Sequence, residues 1–382
     1  MRHSLQEKCL TIFLEGEVNS LTSPSIESEI NETIKDKDFS SLVLDFEKVE
    51  YLSSAGLRII LKLKQKYQDV SIINTSLEVY DILQMTGFVN VMNISKALRK
   101  VSVEGASLIG EGYFSVVYRI NKDTIIKVFK RATDTKEIEQ ELALAKQAFI
   151  LGIPTAISFD IVKVNDKYGV VFEMLDSVPL RDLFRDYPER YEELIQKYVS
   201  LVKTVTTTES DNTELLDAKK EWLNKLEKIK DLIDDKLYQK SRVLLESIPD
   251  SNTFIHGDCH FKNIMVQNEE LFLIDMATLS KGNRIFEFAS MYAPYVAFEL
   301  DDPGNAQRFL GVPYELTCRI MNDLIKNCFG SLDESIIDKI RIVCYIHMMW
   351  WNRVNEPENE QRFVGNKERL ISLVEKYEDL VI

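Results

Sequence analysis

Short apolar runs and amphipathic stretches alternate over the first hundred residues. Leu10–Leu14 (LTIFL), Leu42–Phe46 (LVLDF) and Val70–Ile73 predict strands, while Pro24–Ile34, Ala55–Tyr67 and Leu77–Met85 carry helical spacing. In Ala55–Tyr67 the spacing sets Leu57, Ile60, Leu61 and Leu63 on one side and Arg58, Lys62 and Lys66 on another, as in a helix laid on a sheet. This order predicts an alternating β/α unit over residues 1–100, with Leu98–Glu104 (LRKVSVE) as a linker.

From Ala106 the rhythm changes. SLIGEGYFSVVYRI, TIIKVFK and YGVVFEML are strand-like, and one strong helical pattern, Thr135–Ile150, separates the second from the third. Beyond Leu180 the chain reads as helical apart from short apolar runs in Phe254–Ile264 and Leu271–Ile274, and the Thr-rich Thr204–Thr213 reads as a loop between helices. A second domain over 105–382 is therefore expected, with a strand-rich lobe (105–176) and a mainly helical lobe (177–382). No internal repeat or low-complexity tract interrupts it. Trp222, Leu226, Ile229 and Ile233 recur at helical spacing and read as packing residues. Met348, Met349, Trp350 and Trp351 read as core, or as aromatic faces toward a cationic ligand.

Composition narrows the functional classes. A chain of 382 residues, 45% hydrophobic and 28% charged, has core-forming material for two or three domains of roughly 150 residues each. The net charge is −14, and residues 101–382 hold 35 basic against 47 acidic side chains. Non-specific nucleic-acid binding depends on basic residues displacing counterions, so nucleic acid is not an expected partner. The longest stretch without a charged side chain, Ile82–Ser95, is 14 residues, short of the roughly 20 that a membrane span requires. The first ten residues hold no continuous apolar run, and five cysteines (Cys9, Cys259, Cys318, Cys328, Cys344) show no paired spacing. No membrane association and a reducing cytoplasm are expected.

Three segments carry candidate chemistry. In Gly110-Glu111-Gly112-Tyr113-Phe114-Ser115 two glycines let backbone approach phosphate oxygens without a Cβ between, although a plain hairpin turn would use them too. Lys127 interrupts the apolar strand Ile125–Val128, facing either solvent or a ligand's phosphates. Glu137, Glu139 and Glu141 follow on a helix, and Glu141 best fits a position facing the sheet beside Leu142, Ala145 and Phe149. The decisive run is Phe254-Ile255-His256-Gly257-Asp258-Cys259-His260-Phe261-Lys262-Asn263-Ile264, with Leu273-Ile274-Asp275 after it. Phosphoryl transfer uses such groups, a carboxylate to orient the attacking hydroxyl and oxygen ligands for magnesium.

On these motifs residues 106–382 resemble the aminoglycoside-phosphotransferase and choline-kinase branch of the protein-kinase-like fold, whose signature His-Gly-Asp-x-His-x-x-x-Asn and Ile-Asp stand unbroken at His256–Asn263 and Ile274-Asp275. The resemblance implies an α+β two-lobed kinase-like domain using ATP and Mg2+. It implies that Asp258 orients or deprotonates the acceptor hydroxyl, that Asn263 and Asp275 hold magnesium, and that Lys127, paired with Glu141, contacts the phosphates. Gly110, Gly112 and Ser115 would lie over the nucleotide, and Phe172-Glu173-Met174-Leu175 would be the hinge that bonds adenine through its backbone. His256 and His260 would buttress the loop. Ser115 stands where protein kinases carry a third glycine, and Asp275 precedes Met-Ala instead of Phe-Gly. Both departures point to the small-molecule branch; Glu287, where relatives often carry Asp, is left without a role.

The first hundred residues resemble a STAS domain, the α/β fold of anti-sigma factor antagonists, in which helices pack on a mixed sheet. The resemblance rests on the order of elements and on LVLDF leading to Val49-Glu50-Tyr51-Leu52-Ser53-Ser54-Ala55-Gly56-Leu57. It implies a protein partner and a phosphorylation site at Ser54, at a helix N-terminus where free N–H groups favour phosphate; Ser53 or Ser54 could equally be the N-cap.

The first functional reading is an ATP- and magnesium-dependent phosphotransferase acting on a small-molecule hydroxyl, an amino sugar or amino alcohol in keeping with the acidic surplus, with the STAS domain regulatory or partner-binding. The second is a signalling switch that phosphorylates Ser54 or a protein partner, with STAS binding as its output. The third is a nucleotide sensor without transfer.

Overall fold

The computed structural model describes residues 1–112, 115–131, 135–211 and 215–377. The chain divides into two units, Met1–Ser102 with Val162–Asp166, and Val103–Ile161 with Lys167–Ile382.

In the first unit Leu10, Ile12 and Leu14 are buried while Thr11 and Phe13 are less so, the period of two that makes a strand with one core face. The elements run β1 (His3–Gln6), β2 (Cys9–Val18), α1 (Ser23–Ile34), β3 (Ser41–Leu52), α2 (Ser54–Lys66), β4 (Val70–Thr75), α3 (Leu77–Met85) and β5 (Asn93–Lys96). The sheet has the order β1-β2-β3-β4-β5, with β1 antiparallel to β2 and the other pairs parallel. Helix α2 buries Gly56, Ile59, Ile60 and Leu63. Leu61, expected on that face, is 43% exposed, because at 100° per residue it lies roughly 150° around the helix from the centre of the buried positions. Ser53 is the N-cap, its hydroxyl accepting from Ala55 N–H at 3.2 Å, and Ser54 is exposed on the first turn. A two-residue strand, β6 (Arg99–Lys100), lies within the expected linker.

In the second unit β7 (Ser107–Glu111), β8 (Ser115–Arg119), β9 (Thr124–Phe129), α4 (Lys136–Ile150), β10 (Ser158–Val164, whose last three residues group with the first unit) and β11 (Lys167–Glu173) come first. Their strands lie in the order β7-β8-β9-β11-β10. Then follow β12 (Val178–Pro179), α5 (Leu180–Asp186), α6 (Tyr191–Thr207), β13 (Leu216–Asp217), α7 (Ala218–Lys228), α8 (Asp235–Glu246), β14 (Phe254–Ile255), β15 (Ile264–Gln267), β16 (Glu270–Leu273) and β17 (Ser280–Lys281). Helices α9 (Arg284–Tyr292), α10 (Phe298–Asp301), α11 (Tyr314–Phe329), α12 (Glu334–Asn355) and α13 (Glu360–Lys376) complete it, with π-helical turns at Ala293–Ala297 and Ala306–Leu310.

The expected loop Thr204–Thr213 is helical as far as Thr207, and its residues Asn212 and Thr213 lie outside the described residues. Thr204, Thr206, Thr207 and Thr208 donate their hydroxyls to carbonyls four residues earlier, and Val205 and Thr206 are buried, so tertiary packing overrides the low helix propensity of threonine. Trp222, Leu226, Ile229 and Ile233 are buried in the main core, as are Met348 and Met349; Trp350 and Trp351 are half-buried. No helix among the described residues is long and apolar enough to cross a membrane.

Candidate active site

Strand β9 buries Ile126 and Val128 and turns Ile125 and Lys127 to its other face, where both line a cavity of about 610 Å³. Helix α4 borders the same cavity with Ile138, Glu141, Leu142 and Ala145. Of the three glutamates beside Lys127 in the sequence, Glu141 is the partner, with its Oε1 3.4 Å from the Lys127 Nζ. Glu139 is exposed, and the Glu137 side chain lies outside the described residues. Phe149, expected on the sheet-facing side, is instead 47% exposed, while Ala145 and Ala148 beside it are buried.

Gly110 in β7, Gly112 just after it and Ser115 at the start of β8 line the cavity. Gly112 N–H donates to Ser115 C=O at 2.9 Å, closing the turn; Tyr113 and Phe114, within it, lie outside the described residues. Neither glycine has a positive φ, and an added Cβ would meet nothing closer than 3.8 Å, so what these positions provide is open approach to the backbone. Glu173 and Leu175 line the cavity from the expected hinge. Two hinge N–H groups are already used: Glu173 donates to Ile157 C=O and Met174 to Asp123 C=O, and the Glu173 carboxylate accepts from Ile157 N–H at 2.6 Å.

The antiparallel hairpin of β15 and β16 pairs Ile264 with Leu273, which brings Asn263 beside Ile274 and Asp275. Ile274 N–H donates to Asn263 C=O at 3.0 Å, and both Asn263 and Asp275 line the cavity. Asp275 has φ +66°, a left-handed conformation that aspartate tolerates better than most residues. Its Oδ1 lies 2.7 Å from the Lys127 Nζ, a contact that sequence reasoning missed. Asp258 is bracketed on both oxygens: Oδ2 accepts from the Asn263 amide at 2.8 Å and Oδ1 lies 3.2 Å from His260 Nε2. His256 Nδ1 accepts from Asp258 N–H at 3.3 Å. Both histidines are buried, which fits loop support.

Burial sets the protonation states. It pushes the Asp258 carboxyl up to about 6, against the pull of His256 and the Asn263 amide. It pushes His260 down to about 4, so the imidazole is neutral at neutral pH and its contact with Asp258 is a hydrogen bond of a neutral donor, not an ion pair. Burial lowers Lys127 too, but Asp275 and then Glu141 outweigh it and the ammonium is held above its usual range. Glu141 is raised by burial despite Lys127.

The loop that carries Asp258 is held by residues that sequence reasoning left without a role. Glu287, fully buried on α9, accepts the N–H groups of His256 at 2.5 Å and Gly257 at 3.1 Å. Thr278 donates its hydroxyl to His256 C=O at 2.6 Å, Tyr198 donates to Cys259 C=O, and the Tyr295 hydroxyl accepts from Phe261 N–H at 2.8 Å. Buried backbone groups need partners, and here side chains from three distant segments supply them. No local spacing announces such partners.

Residues 105–311 match the phosphotransferase enzyme family, APH, which is more than half of the chain. The chain belongs to the phosphotransferase enzyme family. It is an enzyme, a phosphotransferase of the kinase type. Residues 4–101 match the STAS domain, so an α/β STAS domain with a mixed sheet precedes an α+β two-lobed kinase-like domain. Within the STAS part the chain is 28% identical over 88 residues to a protein of Bordetella bronchiseptica named as anti-sigma factor antagonist BtrV, covering 22% of this chain and 75% of that protein. Among solved structures, the GDP complex of wild-type aminoglycoside 2'-phosphotransferase-IIIa is 13% identical, covers 78% of this chain and 98% of its own, and has a TM-score of 0.47. A choline kinase, LicA, from Streptococcus pneumoniae is 14% identical, covers 71% and 94%, and has a TM-score of 0.47.

Proposed function

We propose that this phosphotransferase uses ATP and magnesium to phosphorylate a small-molecule hydroxyl, with the STAS domain as a regulatory or partner-binding module. The observation that carries the reading is one cavity bordered by Lys127, Glu141, Asn263 and Asp275, with Asp258, outside that lining, hydrogen-bonded to the lining Asn263.

In this reading Lys127 binds the α and β phosphates and Glu141 positions it. Gly110, Gly112 and Ser115 cover the phosphates with backbone, and the base lies against Glu173–Leu175. Asn263 and Asp275 would hold magnesium, which would neutralise phosphate charge. The donor set fits that ion: an amide and a carboxylate, hard oxygen ligands, with phosphates and water completing the shell. Among the described residues no group of three or more His, Cys, Asp or Glu side chains is placed to hold a metal by itself. Asp258 holds the acceptor hydroxyl and takes its proton as the oxygen bonds to the γ-phosphorus and the bridging bond to the β-phosphate breaks, releasing ADP. His256 and His260 keep the loop in place.

A second reading has one specific observation in its favour. Ser53, not Ser54, caps α2, which leaves the exposed Ser54 hydroxyl uncommitted to capping at a helix N-terminus that favours phosphate. There the kinase-like domain phosphorylates Ser54 or a partner. Intact-mass analysis after incubation with Mg·ATP, with and without added alcohols, separates the readings. Phosphorylated alcohol supports the first. A mass gain of the protein that Ser54→Ala removes supports the second, and nucleotide binding with no transfer would leave only a sensor.

A further inference from the structure

We propose that Lys262 and Arg181 form the acceptor-binding wall of this cavity and select an alcohol that carries a phosphate or carboxylate group. The proposal rests on the phosphotransferase reading above.

Lys262 stands in the loop of Asp258, next to Asn263, and lines the cavity together with Arg181 from α5. A chain of contacts ties it to the reacting centre: His260 Nε2 lies 3.2 Å from Asp258, Phe309 meets the His260 ring edge-on at 5.6 Å, and the Lys262 ammonium sits 4.4 Å over the Phe309 ring. Phe309 lies in the π-helical turn Ala306–Leu310, a distortion that often marks functional sites. Arg181 packs by the end of that turn, where an added Cβ on Gly311 would lie 3.3 Å from its Cδ.

The charges there are incompletely neutralised. Lys262 forms no ion pair among the described residues. Arg181 shares the single carboxylate of Asp182 with Arg185, each at 3.0 Å. Two cations on one wall repel unless an anion joins them, and charge-assisted bonds to phosphate or carboxylate are what lysine and arginine make best. The nucleotide side has its own cation in Lys127, which two carboxylates hold. Lys262 and Arg181 belong to the helical lobe and rest on residues 306–311 instead.

A cationic acceptor would need uncommitted carboxylates around this turn, and three of the nearest are engaged. Glu299 accepts from the N–H groups of Gly304 and Ala306. Asp301 takes Arg369 at 2.7 Å and Asn366 at 2.9 Å, and Asp302 takes Arg308 and Asn305. The acidic surplus of the chain therefore says little about the pocket.

The test is calorimetric titration of the full chain, loaded with magnesium and a non-hydrolysable ATP analogue, with glycerol 3-phosphate and glycerate as anionic probes and choline and kanamycin as cationic ones. At least one anionic alcohol is expected to bind ten times more tightly than either cation. Lys262→Gln and Arg181→Gln should each weaken it roughly tenfold to a hundredfold, Lys262→Arg much less, while affinity for the analogue stays within about twofold. Tighter binding of choline or kanamycin, no binding of either anion, or a matching loss of analogue affinity in Lys262→Gln overturns the proposal, the last by assigning the cations to the nucleotide. Mass spectrometry of the alcohols after incubation with Mg·ATP keeps the two failures apart. Anions that bind without being phosphorylated count against phosphotransfer to alcohols, whereas phosphorylated choline or kanamycin leaves phosphotransfer standing and removes the anion wall.

Discussion

The Lys127 ammonium lies 2.7 Å from the Asp275 carboxylate although 148 residues separate them, and Glu141 completes the group at 3.4 Å. Lys127 and Glu141 are largely buried while Asp275 is 47% exposed, and a nucleotide bound at Lys127 would rearrange the balance among the three. Lys127→Met leaves both acids without their cation. Its affinity for Mg·ATP should fall roughly tenfold to a hundredfold, and its melting temperature without nucleotide should drop, since breaking a buried pair costs about 3–5 kcal/mol at the upper end. Calorimetric titration and thermal melts of the two proteins check this. Unchanged affinity would remove Lys127 from the nucleotide site.

Asp258→Asn keeps the shape of the side chain and removes the proposed base. Transfer should fall by about 10²–10⁴-fold, the range general-base groups contribute, with nucleotide affinity within a few-fold of wild type. Steady-state rates beside nucleotide titrations measure the split, and a variant that turns over at the parent rate would end the proposed role of Asp258.

Glu287 gives a stability effect with a definite sign. Burial pushes its carboxyl up to about 7, against the N–H groups of Gly257 and His256, while the ordinary value is 4.5. Between those values the folded state binds more protons than the unfolded chain, so the contribution of Glu287 is fully present below about 4.5 and is lost as pH rises through 7. Glu287→Gln cannot titrate. Relative to this variant the parent should therefore be more stable at pH 5 than at pH 8, and calorimetric melts at the two pH values should show that difference shrinking as pH rises. A difference independent of pH would contradict it.

In the STAS domain Gly56 packs against the end of β2. A Cβ there would lie 2.6 Å from Leu52 Cδ1, 2.8 Å from Val18 Cγ1 and 2.9 Å from the Val18 carbonyl, and the last of these is backbone that cannot swing aside. Gly56→Ala should destabilise this unit by about 1–3 kcal/mol, the usual cost of overpacking. Chemical denaturation of residues 1–102 within the full chain, followed by hydrogen exchange at α2, would register it.

Gly257, inside the loop of Asp258, has φ +80°, and a Cβ would meet the Thr278 carbonyl at 3.0 Å. Gly257→Ala should cost about 1–3 kcal/mol in stability and displace Asp258 enough to lower the transfer rate. Melts and rates of the variant test both. A fully active Gly257→Ala would show that the loop tolerates the shift.

Periodicity and motif spacing by themselves determined the two-domain order, most strands and helices, and the grouping of Asp258, Asn263 and Asp275, because each depends on residues close in sequence or on a hairpin that brings its own ends together. The tertiary structure decided what depends on distant neighbours. It extended α6 through the threonines of 204–207, turned Leu61 and Phe149 outward, and paired Lys127 with Asp275. It also placed Glu287, Tyr198, Thr278 and Tyr295 as partners of the loop backbone, and set Lys262 beside Phe309. A buried N–H or carbonyl takes whichever polar side chain the packed chain brings within 3 Å or so, and a cation's surroundings are set by the elements that pack around it, so neither is encoded in local spacing.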